Sequence, residues 1–113
     1  MSDEERVRQA VLSETLFREV NERIDELQRG FGSGSATIQV VCECGNPACT
    51  DQIDVGLPLY ERVRSDGTLF IVRPGHEDPS VEDVVEPAEE WNVVRKHPGL
   101  PADVAEATDP RGV

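Results

Sequence analysis

The sequence predicts an α+β protein that consists of a long N-terminal helix, a flexible linker and a small antiparallel β-rich unit with one short helix. Three observations support this fold class. Apolar residues recur every three or four positions over residues 3–29, which is typical of an amphipathic helix. A glycine- and serine-rich stretch follows, and short runs of β-branched residues come after it. The cysteines of the chain lie close together directly after the first of these runs, which marks that position as a functional or stabilising site.

Residues 3–29 form the predicted helix, which ends at Gly30. Ser2 and Glu5 have the spacing of a capping box, and the acidic residues of the first turn suit the positive end of the helix dipole. The apolar stripe of this helix consists of Val7, Ala10, Val11, Phe17, Val20, Ile24 and Leu27. Packing against the protein's own core is the ordinary role of such a stripe.

The length of the stripe predicts a second role for part of it. It extends over about seven helical turns, which is more than a unit of about sixty residues readily covers. The glycine-serine linker also gives the helix a freedom that packing against a core would have to remove. We therefore expect Phe17, Val20, Ile24 and Leu27 to contact a second chain, in a homodimer or on a different protein partner. The alternative is a helix that folds back on the sheet and buries all four side chains.

The chain divides into four segments: an N-terminal helix at 1–30, a linker at 31–36, a β-rich unit at 37–97 and a proline-rich C-terminal tail at 98–113. Within the β-rich unit we predict strands at 37–41, 53–55 and 68–72, a short helix from Pro58 to Arg64, and a hairpin of residues 83–86 and 91–94. In the tail, residues 102–107 are expected to form one helical turn, and the last residues are expected to fray.

The formal charge of the chain is −12, from 23 acidic and 11 basic residues. Phosphate backbones and anionic lipid head groups repel such a charge, and no cluster of arginines offsets it locally. The sequence therefore predicts no binding to nucleic acid and none to membranes. The first residues lack the features of a signal peptide, and no stretch has the length and apolarity to span a bilayer, so we expect a cytoplasmic protein.

Cys42, Cys44 and Cys49 form a C-x-C-x4-C motif in a chain with no other cysteine. An odd number of cysteines so close together is a poor disulfide framework and favours metal or redox chemistry in a reducing compartment. A strand end followed by a Gly-Asn-Pro turn can fold the third thiolate back on the first two. Zinc prefers four tetrahedral thiolate and imidazole ligands, so the motif predicts a Zn²⁺ site with one further ligand. An iron–sulfur cluster, which the same residue types can ligate, is the alternative cofactor.

His76 is the best candidate for the fourth ligand, because it follows a predicted strand and a Pro-Gly bend that fix its direction. His97 is the second candidate, although it lies at the start of the tail. Asp51 and Glu43 are weaker candidates, since structural zinc sites seldom use a carboxylate when an imidazole is available. The ordinary alternative for His76 is an imidazole that donates a hydrogen bond to a backbone carbonyl.

Two resemblances accompany these residues. The C-x-C-x4-C spacing resembles the post-SET element of lysine methyltransferases, which implies a zinc geometry and no methyl transfer. The chain as a whole is similar to a set of short, uncharacterised bacterial proteins, mostly of actinobacterial type. The pieces that carry this similarity are residues 17–24 (FREVNERI), the cysteine motif, residues 60–64 (YERVR), residues 72–77 with their Pro-Gly-His pattern, and residues 109–111 (DPR). The second resemblance implies that the cysteines and His76 belong to one module, and it implies no activity.

We find no catalytic signature in the sequence, since it contains neither a glycine-rich nucleophile elbow nor an oxyanion element. The favoured hypothesis is a small zinc-binding protein whose metal is structural and which serves as a protein-interaction or regulatory module. One alternative is a redox- or metal-sensing switch, in which oxidation of the thiolates releases the metal. The other is a metal-dependent enzyme with an open zinc position, for which Glu43, Asp51 and Glu77 are the candidate bases.

Overall fold

The computed structural model describes residues 2–30 and 36–112 of the chain. Its architecture is α+β, as predicted, and Glu5 N–H donates to Ser2 Oγ at 3.2 Å, as expected of the cap. The linker predicted at 31–36 lies outside the described residues except for Ala36. In chain order the elements are α1 (Asp3–Gly30), β1 (Thr37–Val41), β2 (Gln52–Gly56), α2 (Leu57–Arg64), β3 (Leu69–Val72), β4 (Glu82–Pro87), β5 (Asn92–Lys96) and α3 (Leu100–Ala107).

The strands of the described residues form two antiparallel sheets. β1 and β2 pair with Val40 opposite Ile53, and residues 42–51 connect them. In the second sheet β5 lies between β3 and β4, and the predicted hairpin is present as β4 and β5, with an irregular register between Val84 and Glu86. The cysteine segment is therefore the connection of the first hairpin, and its backbone bonds to β3, since Glu43 N–H donates to Ile71 O at 2.9 Å.

Apolar side chains from both sheets and from the helices form a single core. β1 and β2 bury alternate residues, as half-buried strands do, whereas β3 is buried at all of its positions. The buried apolar residues are Val11, Ile38, Val40, Cys42, Ile53, Val55, Tyr60, Val63, Leu69, Phe70, Ile71, Val72, Val81, Val93, Val94, Val104 and Ala105.

α1 packs against the rest of the chain largely through a polar face, which the sequence analysis did not predict. Apart from Val11, the buried residues of α1 are Glu14, Thr15, Arg18, Asn21, Glu22 and Asp25. Of the predicted apolar stripe, Val7, Ala10 and Ile24 contact the core, whereas Val20 and Leu27 are exposed. The alternative in which α1 buries all four side chains expected at an interface is thus excluded for Val20 and Leu27, whereas Ile24 packs on the core. Polar side chains can form the buried face of α1 in place of apolar ones because each of them has a hydrogen-bond or ion-pair partner when buried.

The charged residues of this polar face bond to distant parts of the chain. Glu14 accepts a hydrogen bond from Lys96 Nζ at 2.7 Å, and Glu82 forms an ion pair with the same ammonium group. Arg18 donates to the backbone carbonyls of residues 67 and 105 at 2.7 and 2.8 Å. The guanidinium of Arg18 and the ammonium of Lys96 both lie over the Phe70 ring, 4.6 and 4.2 Å from its centroid. These contacts fix α1 to the body, because losing one partner would leave a buried charge uncompensated.

The C-terminal segment has more structure than a single helical turn with frayed ends. α3 runs from Leu100 to Ala107, packs against α1, and buries Val104 and Ala105. Beyond it, Arg111 donates to Glu22 Oε2 of α1 at 3.1 Å and to Glu61 Oε2 of α2 at 2.7 Å. This arginine therefore joins the two helices.

None of the helices in residues 2–30 and 36–112 combines the length and the apolar character that crossing a bilayer requires.

Candidate metal centre

The segment that follows β1 folds back on itself and carries the cysteines. Cys42 N–H donates to Asp51 O at 2.9 Å, which extends the pairing of the hairpin by one step. Gly45 has a φ of +77°, and a Cβ at this position would lie 3.0 Å from atoms of α1, so both conformation and space require glycine. Cys49 N–H then donates to Asn46 O at 2.9 Å and closes the turn. The turn thereby brings Cys49 close to Cys42 and Cys44, as predicted from the Gly-Asn-Pro sequence.

His76 approaches the cysteines from the end of β3. A turn with Gly75 at a φ of +90° follows the strand, and His76 N–H donates to Arg73 O at 2.9 Å. The imidazole Nδ1 lies 3.5 Å from Cys42 Sγ and 3.6 Å from Cys49 Sγ. The Pro-Gly bend thus directs this side chain to the cysteine segment.

One ligand atom from each of Cys42, Cys44, Cys49 and His76 lies within 4.8 Å of all the others. A tetrahedral zinc ion with Zn–S of about 2.3 Å and Zn–N of about 2.05 Å would place its sulfur and nitrogen ligands about 3.6 Å apart. The two observed distances from sulfur to Nδ1 agree with this value. The structure therefore brings together the four residues that the sequence analysis selected, in an arrangement that fits a single metal ion.

Arg73 and Asp51 lie next to the candidate ligands. Arg73 N–H donates to Cys42 Sγ at 3.2 Å, a contact that favours a negatively charged sulfur. The second imidazole nitrogen of His76, Nε2, lies 3.8 Å from Asp51 Oδ2, and Arg73 Nε lies 3.7 Å from the same oxygen. Histidines that ligate metals commonly direct their other ring nitrogen at a carboxylate, which fixes the tautomer and the ring plane. Asp51, a weaker ligand candidate in the sequence analysis, thus lies beside His76 at more than hydrogen-bond distance and is not among the four grouped residues.

Burial disfavours the thiolate form of two of the three cysteines. Cys42 is 2% exposed, and burial raises the pKa of its thiol and of the Cys44 thiol. Catalytic cysteines have lowered pKa values instead, because the thiolate is the reactive form. A bound divalent cation would compensate the burial and stabilise the thiolates, so metal binding here is expected to release protons.

Glu43, between the first two cysteines, is fully buried and points away from the ligands. Its carboxylate accepts hydrogen bonds from Arg64 Nη1 and Asn21 Nδ2, both at 2.6 Å, and from Ile71 N–H at 3.0 Å. Burial raises the pKa of this carboxyl, but the Arg64 charge and the hydrogen bonds outweigh it, so the pKa lies below its usual range. Glu43, a candidate ligand or base by its position in the motif, therefore anchors the cysteine segment to its neighbours instead.

Asn21 connects the same segment to α1. Its side-chain amide accepts from Val41 N–H at 2.8 Å and donates to Val41 O at 2.9 Å, so it pairs with β1 as a neighbouring strand would. The cysteine segment is therefore joined to α1 through Asn21 and to α2 through Arg64. The sequence contains one signal for these hydrogen bonds, which is the charged Glu43 between two cysteines. The residues that bond to Glu43 could not be identified from their positions in the sequence.

His97 lies outside the cluster of ligands. Its Nε2 is 3.2 Å from Asp83 Oδ1, and its backbone N–H donates to Val81 O at 2.8 Å. Glu77 is likewise not among the four grouped residues. Of the two histidines, the structure thus places only His76 with the cysteines.

No protein-family model, no curated protein sequence and no solved structure matches this chain.

Proposed function

We propose that this chain is a small zinc-binding protein in which one Zn²⁺, held by Cys42, Cys44, Cys49 and His76, has a structural role. The observation that carries the proposal is the convergence of these four ligand atoms within 4.8 Å. In this proposal the stabilised unit acts as a protein-interaction or regulatory module in a reducing cytoplasm, the compartment in which clustered thiols serve metal chemistry.

The number of ligands supports a structural role. Four protein ligands complete a tetrahedral zinc site, whereas a catalytic site keeps one position for water or substrate. A metal at this position would join the connection of the β1–β2 hairpin to the turn after β3, and hence the two sheets. The alternative of a metal-dependent enzyme requires His76 to leave the site, and its presence beside Cys42 and Cys49 argues against that.

The compactness of the ligand set favours zinc over an iron–sulfur cluster. A two-iron cluster distributes its four protein ligands over two iron atoms, which separates them more widely than a single ion does. Here all four ligand atoms fit around one centre. We therefore retain zinc as the metal of this proposal, with the cluster as the alternative.

Metal content and ligand identity test the proposal directly. Elemental analysis of the untagged protein should give one zinc per chain, and X-ray absorption should show three sulfur ligands and one nitrogen ligand. Cys44→Ser should lose zinc and unfold the hairpin region, because zinc binding in finger peptides contributes roughly 10–16 kcal/mol. A variant that folds normally and keeps a full equivalent of zinc would contradict the assignment.

The two histidines provide a matched pair for the fourth ligand. His76→Ala should weaken zinc binding by far more than His97→Ala, because His97 is paired with Asp83 away from the cluster. Affinities can be compared by competition with a chromogenic chelator. Equal zinc affinities in the two variants would remove His76 from the site.

The exposure of two of the thiols favours a second candidate function, a redox-sensing switch. Cys44 and Cys49 are only partly buried, so a peroxide can reach them. Oxidation of two thiolates to a disulfide, with reduction of the peroxide to water, would remove ligands and release the metal. Stoichiometric peroxide should then release zinc within minutes. Retention of zinc under those conditions would leave the structural role as the better description.

A further inference from the structure

The outward face of α1 carries a row of exposed apolar side chains. Leu12, Leu16, Val20 and Leu27 are 37%, 65%, 44% and 62% exposed, and we call this row the outer ridge. At about 100° of rotation per residue, Leu16, Val20 and Leu27 lie within about 40° of one another and roughly opposite the face that packs on the body. The protein's own core therefore cannot cover them while α1 keeps its buried polar contacts.

Such a surface indicates a partner. Isolated exposed apolar residues are ordinary, but a contiguous apolar row rimmed by charged residues marks an interaction site. The ridge is also separate from the metal centre, because α1 meets the cysteine segment through Glu14 and Asn21, which belong to its buried face.

Two charges that border the ridge are complementary to each other. Glu19 and Arg23 lie four residues apart along one edge of the ridge and have opposite charges. When two identical helices meet in antiparallel orientation, this edge faces its own copy with the direction reversed. With the two-fold axis near residue 21, Glu19 faces Arg23 of the second copy and Arg23 faces its Glu19. Leu27 then packs against Leu12 and Leu16 of the second copy, and the two Val20 side chains meet at the centre.

We propose that two copies of this chain associate through their outer ridges as a pair of antiparallel α1 helices. This proposal rests on the proposed function, since it names the partner of the interaction module as a second copy. From Leu12 to Leu27 the ridge is about 24 Å long and the helix is about 10 Å wide, so the pair buries less than a standard interface. The dimer is accordingly weak, with a dissociation constant on the order of micromolar.

Sedimentation equilibrium of the full-length, zinc-loaded chain from about 1 to 300 µM tests this dimer. At roughly 0.15 M salt, where the Debye length is about 8 Å, long-range repulsion between the two acidic chains is screened. The apparent mass should rise from monomer towards dimer across this range. Val20→Glu should remain monomeric throughout with an unchanged circular dichroism spectrum. Val85→Glu is the matched control, because Val85 is 40% exposed on β4 and should leave the dimer intact.

A charge-exchange series tests the orientation of the helices. Glu19→Arg should weaken the dimer at least fivefold, since it places two arginines opposite each other at both ends of the pair. Adding Arg23→Glu to that variant should restore the original dissociation constant. A wild-type chain that stays monomeric at 300 µM, or a dimer insensitive to Val20→Glu, would overturn the proposal. Failure of the double variant to recover would overturn the antiparallel arrangement.

Zinc analysis of the same samples separates this inference from the function on which it rests. A monomer that contains one zinc per chain contradicts the dimer alone. A dimer that contains no zinc contradicts the proposed metal site and leaves the helix pairing supported.

Discussion

Replacing Glu43 with glutamine should destabilise the protein more than any single exposed ion pair does. The side chain is fully buried and pairs with Arg64, which is 1% exposed. Glu43→Gln keeps the size and one carbonyl acceptor but leaves the Arg64 charge without a counter-ion. Removing one partner of a buried pair typically costs about 3–5 kcal/mol, out of a total stability of about 5–15 kcal/mol for a small protein. We expect a loss in that range.

Urea unfolding at a fixed free zinc concentration measures this loss, with the fluorescence of Trp91, the one tryptophan of the chain, as the signal. Glu86→Gln is the matched control, because the Arg62–Glu86 pair is of the same type but its side chains are 53% and 38% exposed. Exposed pairs contribute about 0–1 kcal/mol, so the control should remain close to wild type.

A loss of stability in Glu43→Gln no larger than that in Glu86→Gln would refute the importance of the buried ion pair. A double variant, Glu43→Gln with Arg64→Met, tests the cause. Because it removes both charges, it should be less destabilised than Glu43→Gln alone. A double variant that is equally or more destabilised would show that packing, and not the unpaired charge, accounts for the loss.

Three further predictions concern other groups of charges. Burial raises the pKa of Glu14 to about 9 even though the Lys96 ammonium lowers it, so between about pH 5 and 9 the folded state keeps a proton that the unfolded state has lost. Stability should therefore fall with rising pH by up to about 1.4 kcal/mol per unit, and Glu14→Gln should abolish this slope in urea titrations between pH 6.5 and 8.5 at a fixed free zinc concentration. Asp51→Asn should weaken zinc binding by about tenfold in a chelator competition because it removes the carboxylate beside His76, whereas Asp54→Asn on β2 should not. The chain should show no binding to duplex DNA or RNA at low salt, given its charge of −12, and a salt-sensitive micromolar complex would contradict this.

Local signals explain why much of the fold was predictable. The β-branched run at Thr37–Val41, the proline near the start of α2 and the Pro-Gly bend after β3 act over a few residues, and the elements lie close to where these signals place them. The hairpin of β4 and β5 was predicted from two such runs and a short connection. α3 was underestimated because a two-turn helix has little signal of its own and depends on packing against α1.

The sequence by itself determined the helix, the strand runs and the four residues that converge on the candidate metal centre. Three cysteines with a tight turn between them can meet in few ways, and that constraint is local. Only the tertiary structure decided which face of α1 is buried. The partners of that face are distant, since Glu14 bonds to Lys96 across 82 positions and Arg18 to the carbonyl of Ala105 across 87. Helical periodicity records the polarity of each side chain but not its partner, and a charged side chain is buried or exposed according to whether a partner is present.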